Sequence, residues 1–425
     1  MTNLLTDLKM AVRMLLKNPL FTVAAVATLA LGIGLNTAVF SAVYDLVLKP
    51  LPGTREPDQL VQVYRSWPGI TYGSNSIPHY VDLRDRSGSF FSGVASWAMN
   101  PTSVTSQGRS QVLLGKLVSA NYFQVMGVDA QVGRTFLPQE EGGAPGASPV
   151  TMISHGFWQT RFGGDPDAVG QSLLVNGHSY EIIGVLPQEF RGVIPVLQAD
   201  VWVPLMMQRE FMSGRDLLDR RGNNFMQVIA RLQPGVTPRQ AQEGLDALTL
   251  QLREEMPEAY DEPEMILIPQ SESVLAPGMR NAAVGMSGVI MAVVGLLLLI
   301  ACVNVANLFL ARAQDRKKEI GVRLSLGASR SRVVTQLLTE SLVFAAVAGV
   351  AGLVLAWVAV KGASHIRLPI DMPHSFDLAI NTPVLLFSIG VAVVAGIVFG
   401  LAPALQASRP DLVTALKGEI SAEGV

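Results

Sequence analysis

The sequence predicts a membrane protein of four transmembrane α-helices, with one α+β domain placed between the first and the second. Three observations predict it. Four apolar stretches are long enough to cross a bilayer, which takes about 20 mainly apolar residues, and Glu340 is the only ionisable residue inside them. Lysine and arginine crowd the short segments on one side of those stretches. Residues 49–280 have a globular composition, with 18 Lys/Arg against 24 Asp/Glu and mixed strand and helix patterns.

Residues 1–18 place Leu4, Leu5, Leu8, Val12, Leu15 and Leu16 on one helical face, with Lys9, Arg13 and Lys17 at four-residue intervals on another. That pattern suits a helix lying in the cytoplasmic interface; a plain extension of the first span is the other reading. Transmembrane helix 1 covers 19–48, starting at Pro19, and runs uncharged from Leu20 to Tyr44. A signal peptide does not fit, because the apolar run is too long and no small-residue cleavage site follows it.

The domain at 49–280 alternates like strands at 60–64, 112–114, 172–175 and 180–185, with Asn176-Gly177 as a type I′ hairpin turn between the last two. Helical runs fall at 78–86, 119–126, 154–162 and 238–256; Thr237-Pro238 is an N-cap with proline at the first position. Glu141–Gly146 reads as a surface loop, and 209–223 as an irregular join between subdomains. Short strands interleaved with helices argue for an α+β domain.

Transmembrane helices 2, 3 and 4 cover 281–311, 333–360 and 378–408. Between them lie a 312–332 loop, a short 361–377 loop, and after them a 409–425 tail. Twelve Lys/Arg flank one side of the spans (Lys9, Arg13, Lys17, seven within 312–332, Arg409 and Lys417) against Lys361 and Arg367 in the opposite short loop. The positive-inside rule then puts both termini and 312–332 in the cytoplasm. The 49–280 domain is then expected outside the cytoplasm.

A net charge of −2 gives no basis for nucleic-acid binding. Cys302 is the single cysteine, so no intrachain disulfide can form and the outer domain must fold on its apolar core. No G-x-x-x-x-G-K-[ST] loop is present to cradle nucleotide phosphates, so no cofactor is bound directly and ATP is used by a partner subunit. The five histidines show no metal-ligand spacing, and no G-x-S-x-G elbow occurs. No catalytic residue is assigned.

The informative polar residues lie at membrane depth. Asn36 and Thr37 follow Gly32 and Gly34 in the first span, Asn304 and Asn307 sit three apart in the second, and Pro403 closes the fourth. Amides there need partners and small residues allow close backbone approach; interhelical hydrogen bonding accounts for them, with a substrate pathway as the alternative. In 312–332, Ile320, Leu324 and Leu326 interrupt the charge at helical spacing and Gly327 permits a turn. A short amphipathic helix of that kind can dock in a partner's groove or anchor on anionic headgroups of membrane lipid.

Residues Arg316-Lys317-Lys318-Glu319-Ile320-Gly321-Val322-Arg323 with Leu326-Gly327-Ala328-Ser329 resemble the signature of MacB/FtsX-type ABC transporter permeases. Residues 31–40, 302–308 and 400–410 agree, as do 157–187 and Arg231–Thr237 in the outer domain. The resemblance implies that Arg316, Lys317, Glu319, Ile320, Gly321, Arg323, Leu326, Gly327 and Ala328 form a coupling helix on an ABC ATPase dimer. It implies a porter-like part with an inserted subdomain outside, force passed through the membrane to that domain, and two four-span units per transporter. A periplasmic adaptor or outer-membrane channel is a further implied partner. The alternative within the family is an FtsX-like scaffold that regulates a periplasmic cell-wall hydrolase without transport. With no ATPase segment ahead of the first span, the sequence is most similar to the duplicated orphan permeases of acidobacteria, and its ending resembles the point where the first of two such units stops. The second unit is then either another copy of this chain in a homodimer or the tandem half of a duplicated permease.

Overall fold

The computed structural model describes residues 13, 16, 19–45, 52–106, 108–194, 197–212, 214, 216–260, 264–273, 277–315, 329–364 and 381–407. The chain divides into two compact units: the spans, and a domain covering most of 46–283.

In chain order the elements are α1 (Pro19–Val43), β1 (Leu60–Trp67), β2 (Ile70–Gly73), α2 (Ile77–Arg86), β3 (Phe91–Ser106), β4 (Arg109–Val118) and α3 (Tyr122–Met126). They continue with β5 (Val132–Gly133), α4 (Gln139–Gly142), β6 (Val150–Ile153), α5 (His155–Phe162), β7 (Ser172–Val175), β8 (His178–Val185) and β9 (Val201–Pro204). Next come α6 (Gln208–Phe211), β10 (Gln227–Leu232), α7 (Pro238–Glu255), α8 (Pro257–Tyr260), β11 (Glu264–Pro269) and α9 (Gln270–Ser273). The last three are α10 (Pro277–Asp315), α11 (Arg330–Ser364) and α12 (Thr382–Ala407).

The inserted domain is α+β and built around one long strand. Through its first half β3 belongs to an antiparallel sheet of order β11-β1-β10-β3. Through its second half it closes a barrel. The pairings run β3–β4, β4–β9, β9–β6, β6–β8, β8–β7 and back from β7 to β3, so no edge is left on that ring. Period-two alternation then gives two cores. One joins the barrel interior (Leu117, Val201, Val203, Ile182) to the sheet face covered by α2 and α7, through Tyr80, Leu83, Leu245 and Leu252. The other packs α3 with Leu186, Phe190, Val193 and Ala199 on the opposite face, around Trp97, Phe123 and Trp202.

Local chemistry explains the boundaries. Ser76 and Thr237 both form capping boxes, each with proline in the first turn, and so start α2 and α7. Asn176 and Gly177 take φ of 49° and 84°, the pair of positive values a type I′ turn needs between β7 and β8. Part of the stretch read as a surface loop is in fact helical: Gln139–Gly142 forms α4. Its Glu141 is held by Tyr80, Arg84 and the Ala120 amide, which makes the turn a fixed corner. The 209–223 patch begins as α6 before becoming irregular.

Among the described residues four helices are long and apolar enough to cross a membrane: Pro19–Val43, Asn281–Ala311, Ser331–Gly362 and Thr382–Leu401. The proposed interfacial helix lies outside the described residues except for Arg13 and Leu16, as does the tail from Ser408 on.

Candidate functional site

The spans carry the predicted polar and small residues, and the structure sorts them into two groups. Gly34 is buried where α1 crosses α11: a Cβ built on it would lie 2.8 Å from the Gly352 carbonyl oxygen. A Cβ on Gly352 would in turn lie 2.9 Å from the Ala30 oxygen and 3.1 Å from the Gly34 nitrogen. The two backbones therefore touch, the close approach that paired small residues allow in a bilayer. Gly32 faces a different neighbour, with Leu298 Cδ1 at 2.9 Å from its ideal Cβ. On α12, Gly396 abuts Ala345 and Gly400 abuts Ser341 of α11.

Asn36 is buried, and its Nδ2 donates to the Gly32 carbonyl in its own helix and to the Val294 carbonyl of α10, each at 2.9 Å. Thr37 is buried and returns its hydroxyl to the Ile33 carbonyl at 2.8 Å. One amide thus ties α1 to α10 where no water can compete. Replacing Asn36 by Leu should cost about 1 kcal/mol, the usual worth of an interhelical bond in lipid. A thermal-melt comparison of the two purified proteins in one detergent measures it, and an unchanged midpoint would rule the tie out.

At one level each helix contributes a phenylalanine: Phe309 of α10 stands 5.6 Å from Phe21 of α1, 5.0 Å from Phe344 of α11 and 5.5 Å from Phe399 of α12, centroid to centroid. Glu340, the lone ionisable residue of the third span, is 2% exposed, with Gln336 Nε2 donating to its Oε1 at 3.2 Å.

Asn304 and Asn307 behave otherwise. Both are exposed on α10, so the interhelical hydrogen bonds expected of them are not formed by the described residues. Exposed with them on that helix are Val289, Val293, Leu296, Ile300 and Val303, a surface suited to lipid or to another helix. Pro403 lies within α12, though its side chain is outside the described set. The coupling residues Arg316, Lys317, Glu319, Ile320, Gly321, Arg323, Leu326, Gly327 and Ala328 all fall outside the described residues.

The inserted domain holds a buried ionic network that no sequence motif announced. Arg65 Nη1 reaches His79 Nδ1 at 2.8 Å and Asn224 Oδ1 at 3.2 Å, and its Nη2 donates to the Ala259 carbonyl. Arg221 pairs with Asp82 at 2.5 Å, and Tyr260 donates to the same carboxylate at 2.7 Å. Burial first, then the charges of Arg65 and Arg221, push the His79 pKa down to about 3, so its ring stays neutral across the physiological range. The network joins β1, α2, the 220–224 turn and α8, a structural clamp rather than a proton relay. Among the described residues no three His, Cys, Asp or Glu side chains could hold a metal ion.

A family model described as the MacB-like periplasmic core domain matches residues 22–248, and one described as FtsX-like permease C-terminal matches 291–412. An uncharacterized ABC transporter permease of Bacillus subtilis, YknZ, is 25% identical over 304 residues, which is 71% of this chain and 69% of that protein. The macrolide export ATP-binding/permease protein MacB of Rhodospirillum rubrum is 28% identical over 276 residues, 64% of this chain and 38% of its own. The pyoverdine export ATP-binding/permease protein PvdT of Pseudomonas syringae pv. tomato is 27% identical over 289 residues, 66% and 39% respectively. The match thus spans about two fifths of the length of these ATP-binding/permease relatives. The crystal structure of the periplasmic region of MacB from Actinobacillus actinomycetemcomitans aligns with TM-score 0.39 and 12% identity, covering 51% of this chain and 91% of that one.

Proposed function

Since the chain belongs to the MacB/FtsX-type family of ABC transporter permeases, we propose that it is a permease subunit driven by a separate ABC ATPase dimer. The spans lie in the bacterial inner membrane with both termini in the cytoplasm, an orientation that the excess of Lys and Arg in the loops on one side supports. ATP is bound and hydrolysed by the partner. Its closure reaches the membrane through residues 312–332, passes along the helices, and moves the inserted domain on the periplasmic side. Substrate is exported or extracted there, without a pore through the bilayer. A second four-span unit completes the membrane part, and an adaptor or outer-membrane channel receives the cargo.

The observation that supports this reading best is the backbone contact of Gly34 with Gly352. Helices without a side-chain cushion between them move together, and a force relay needs such coupling. The charge of 312–332 supplies the docking end of the relay.

The loop is testable in isolation from the rest. Glu319→Lys combined with Arg323→Glu reverses the charge at two adjacent turns of the proposed coupling helix. The doubly substituted chain should insert normally and lose its ATPase in an affinity pull-down from membranes, at least tenfold relative to wild type. Undiminished recovery of the ATPase would overturn the coupling role.

A further inference from the structure

The chain leaves the inserted domain for the second span through α9, and nothing apolar holds that helix in place. Its four residues read Gln-Ser-Glu-Ser. Isolated helices shorter than about 12 residues are marginal in water, and α9 has no hydrophobic side to bury. Its fastening is polar instead. Gln270 and Ser273 stand three apart on one side of the turn, and Gln62 and Tyr64 stand two apart on one face of β1. Gln62 Nε2 donates to Gln270 Oε1 at 2.8 Å, and the hydroxyls of Tyr64 and Ser273 are hydrogen-bonded at 2.5 Å. All four side chains are buried.

The chain that enters the domain after the first span is held on the neighbouring strand. Arg231 of β10, level with Leu60 in the β1–β10 ladder, donates from Nη2 to the Arg55 carbonyl at 2.7 Å and from Nη1 to the Glu56 carbonyl at 3.3 Å. Its Nε donates to the Val125 carbonyl near the end of α3 at 2.9 Å. The two linkers are themselves neighbours, since α9 lies against residues 57–59, the last turn before β1. The hydrogen bonds from both linkers thus converge on one strand pair.

Direction is what these bonds add. Apolar contacts let surfaces slide, whereas a buried hydrogen bond fixes one position and is costly to leave unmade. A displacement of Ser273 is therefore felt at Tyr64 before α9 can slip along the sheet.

We propose that Gln62 and Tyr64 are positioning residues of the force relay: they make β1 the strand that receives displacement of the chain ahead of the second span. The sheet β11-β1-β10-β3 then moves first, and the barrel follows through β3, the strand it shares with that sheet. This role presupposes the relay proposed above.

Two measurements on the full chain, in nanodiscs of neutral lipid, test it. The first follows a nitroxide on Ser271→Cys, exposed on α9, in a Cys302→Ala background. Gln62→Leu with Tyr64→Phe should free the label several-fold in rotational rate and leave the domain's resistance to pulse proteolysis at the wild-type level. Ser273→Ala, which removes the same hydroxyl pair from the other side, should free it to a smaller extent. A label that stays as immobile as in wild type, or is freed only when the whole domain becomes protease-sensitive, overturns the joint. The second measurement is hydrogen exchange in β1. Asn36→Leu, which unties α10 from α1, should change that exchange several-fold in an otherwise wild-type chain and leave it unchanged once Gln62 and Tyr64 are substituted. A β1 that ignores Asn36→Leu, or responds equally in both backgrounds, overturns the part of β1 in the relay. No ATPase enters either measurement, so both outcomes are separate from the pull-down that tests residues 312–332.

Discussion

Lys116→Met should stabilise the inserted domain, most strongly below pH 7. Burial lowers the lysine's pKa from 10.5 to about 7. The folded value lies below the unfolded one, so the unfolded chain binds the extra proton between those two pH values. Wild-type stability therefore rises with pH from about 7 to 10.5, and the full penalty is present below 7. At 1.36 kcal/mol per unit that shift corresponds to a penalty of roughly 5 kcal/mol, a net figure that leaves nothing further to subtract for the Trp97 ring beside the amine. Methionine keeps the stem's volume and removes the charge, so a gain of several kcal/mol is expected at pH 6. The difference between the two proteins should close above pH 10.5. Buried tyrosines such as Tyr64, whose pKa burial raises, destabilise both proteins alike at high pH and cancel in the comparison. Pulse proteolysis of the domain within the full chain, at pH 6 and pH 10, reads the gap. A gap that is absent at pH 6, or that does not narrow with pH, would refute the buried-amine account.

The distribution of sequence signals explains why that lysine had to come from the structure. The spans were legible because hydrophobic length is a one-dimensional quantity, and the four apolar stretches reappear as long apolar helices. The N-cap at Thr237 and the turn at Asn176-Gly177 were legible because each rests on contacts within a few residues. The barrel was not, since its closure depends on β3 meeting β7 and β4 meeting β9 across long sequence separations. Lys116 sits in an alternating strand, where a polar residue ordinarily marks the wet face. It is α3 together with the segment around Gly192 that turns that face into interior. Arg65 and His79 escaped notice because, fourteen residues apart, they form no spacing motif.

Among the membrane residues the sequence singled out amides without telling their surroundings apart. Asn36 is buried with a partner on α10, whereas Asn304 and Asn307 are exposed. All three are amides at membrane depth, and what separates them is the rotation of each helix about its own axis. That rotation is set by packing against neighbours. The apolar residues that surround all three amides carry no periodic signal strong enough to reveal it.

Gly34→Val should do the most damage in the membrane unit. Its side chain would begin 2.8 Å from the Gly352 oxygen and 3.3 Å from Leu355 Cβ. The nearest obstacle is backbone, which cannot rotate away, so α1 and α11 must separate. Overpacking of this kind costs about 1–3 kcal/mol, and the lost backbone contact places the cost at the upper end. Gly352→Val breaks the same crossing from the other side. The double substitution should therefore cost much less than the sum of the singles, because one separation accommodates both. Gly295→Val, on a helix face where a Cβ meets nothing within 4 Å, provides the matched control and should change stability little. Thermal melts of the four variants in one detergent, with cysteine crosslinking between α1 and α11 as a distance readout, distinguish the outcomes. Additive losses in the double variant would show that the two glycines do not share a contact. If the helices also relay force, Gly34→Val should uncouple ATP hydrolysis from transport while the ATPase still binds.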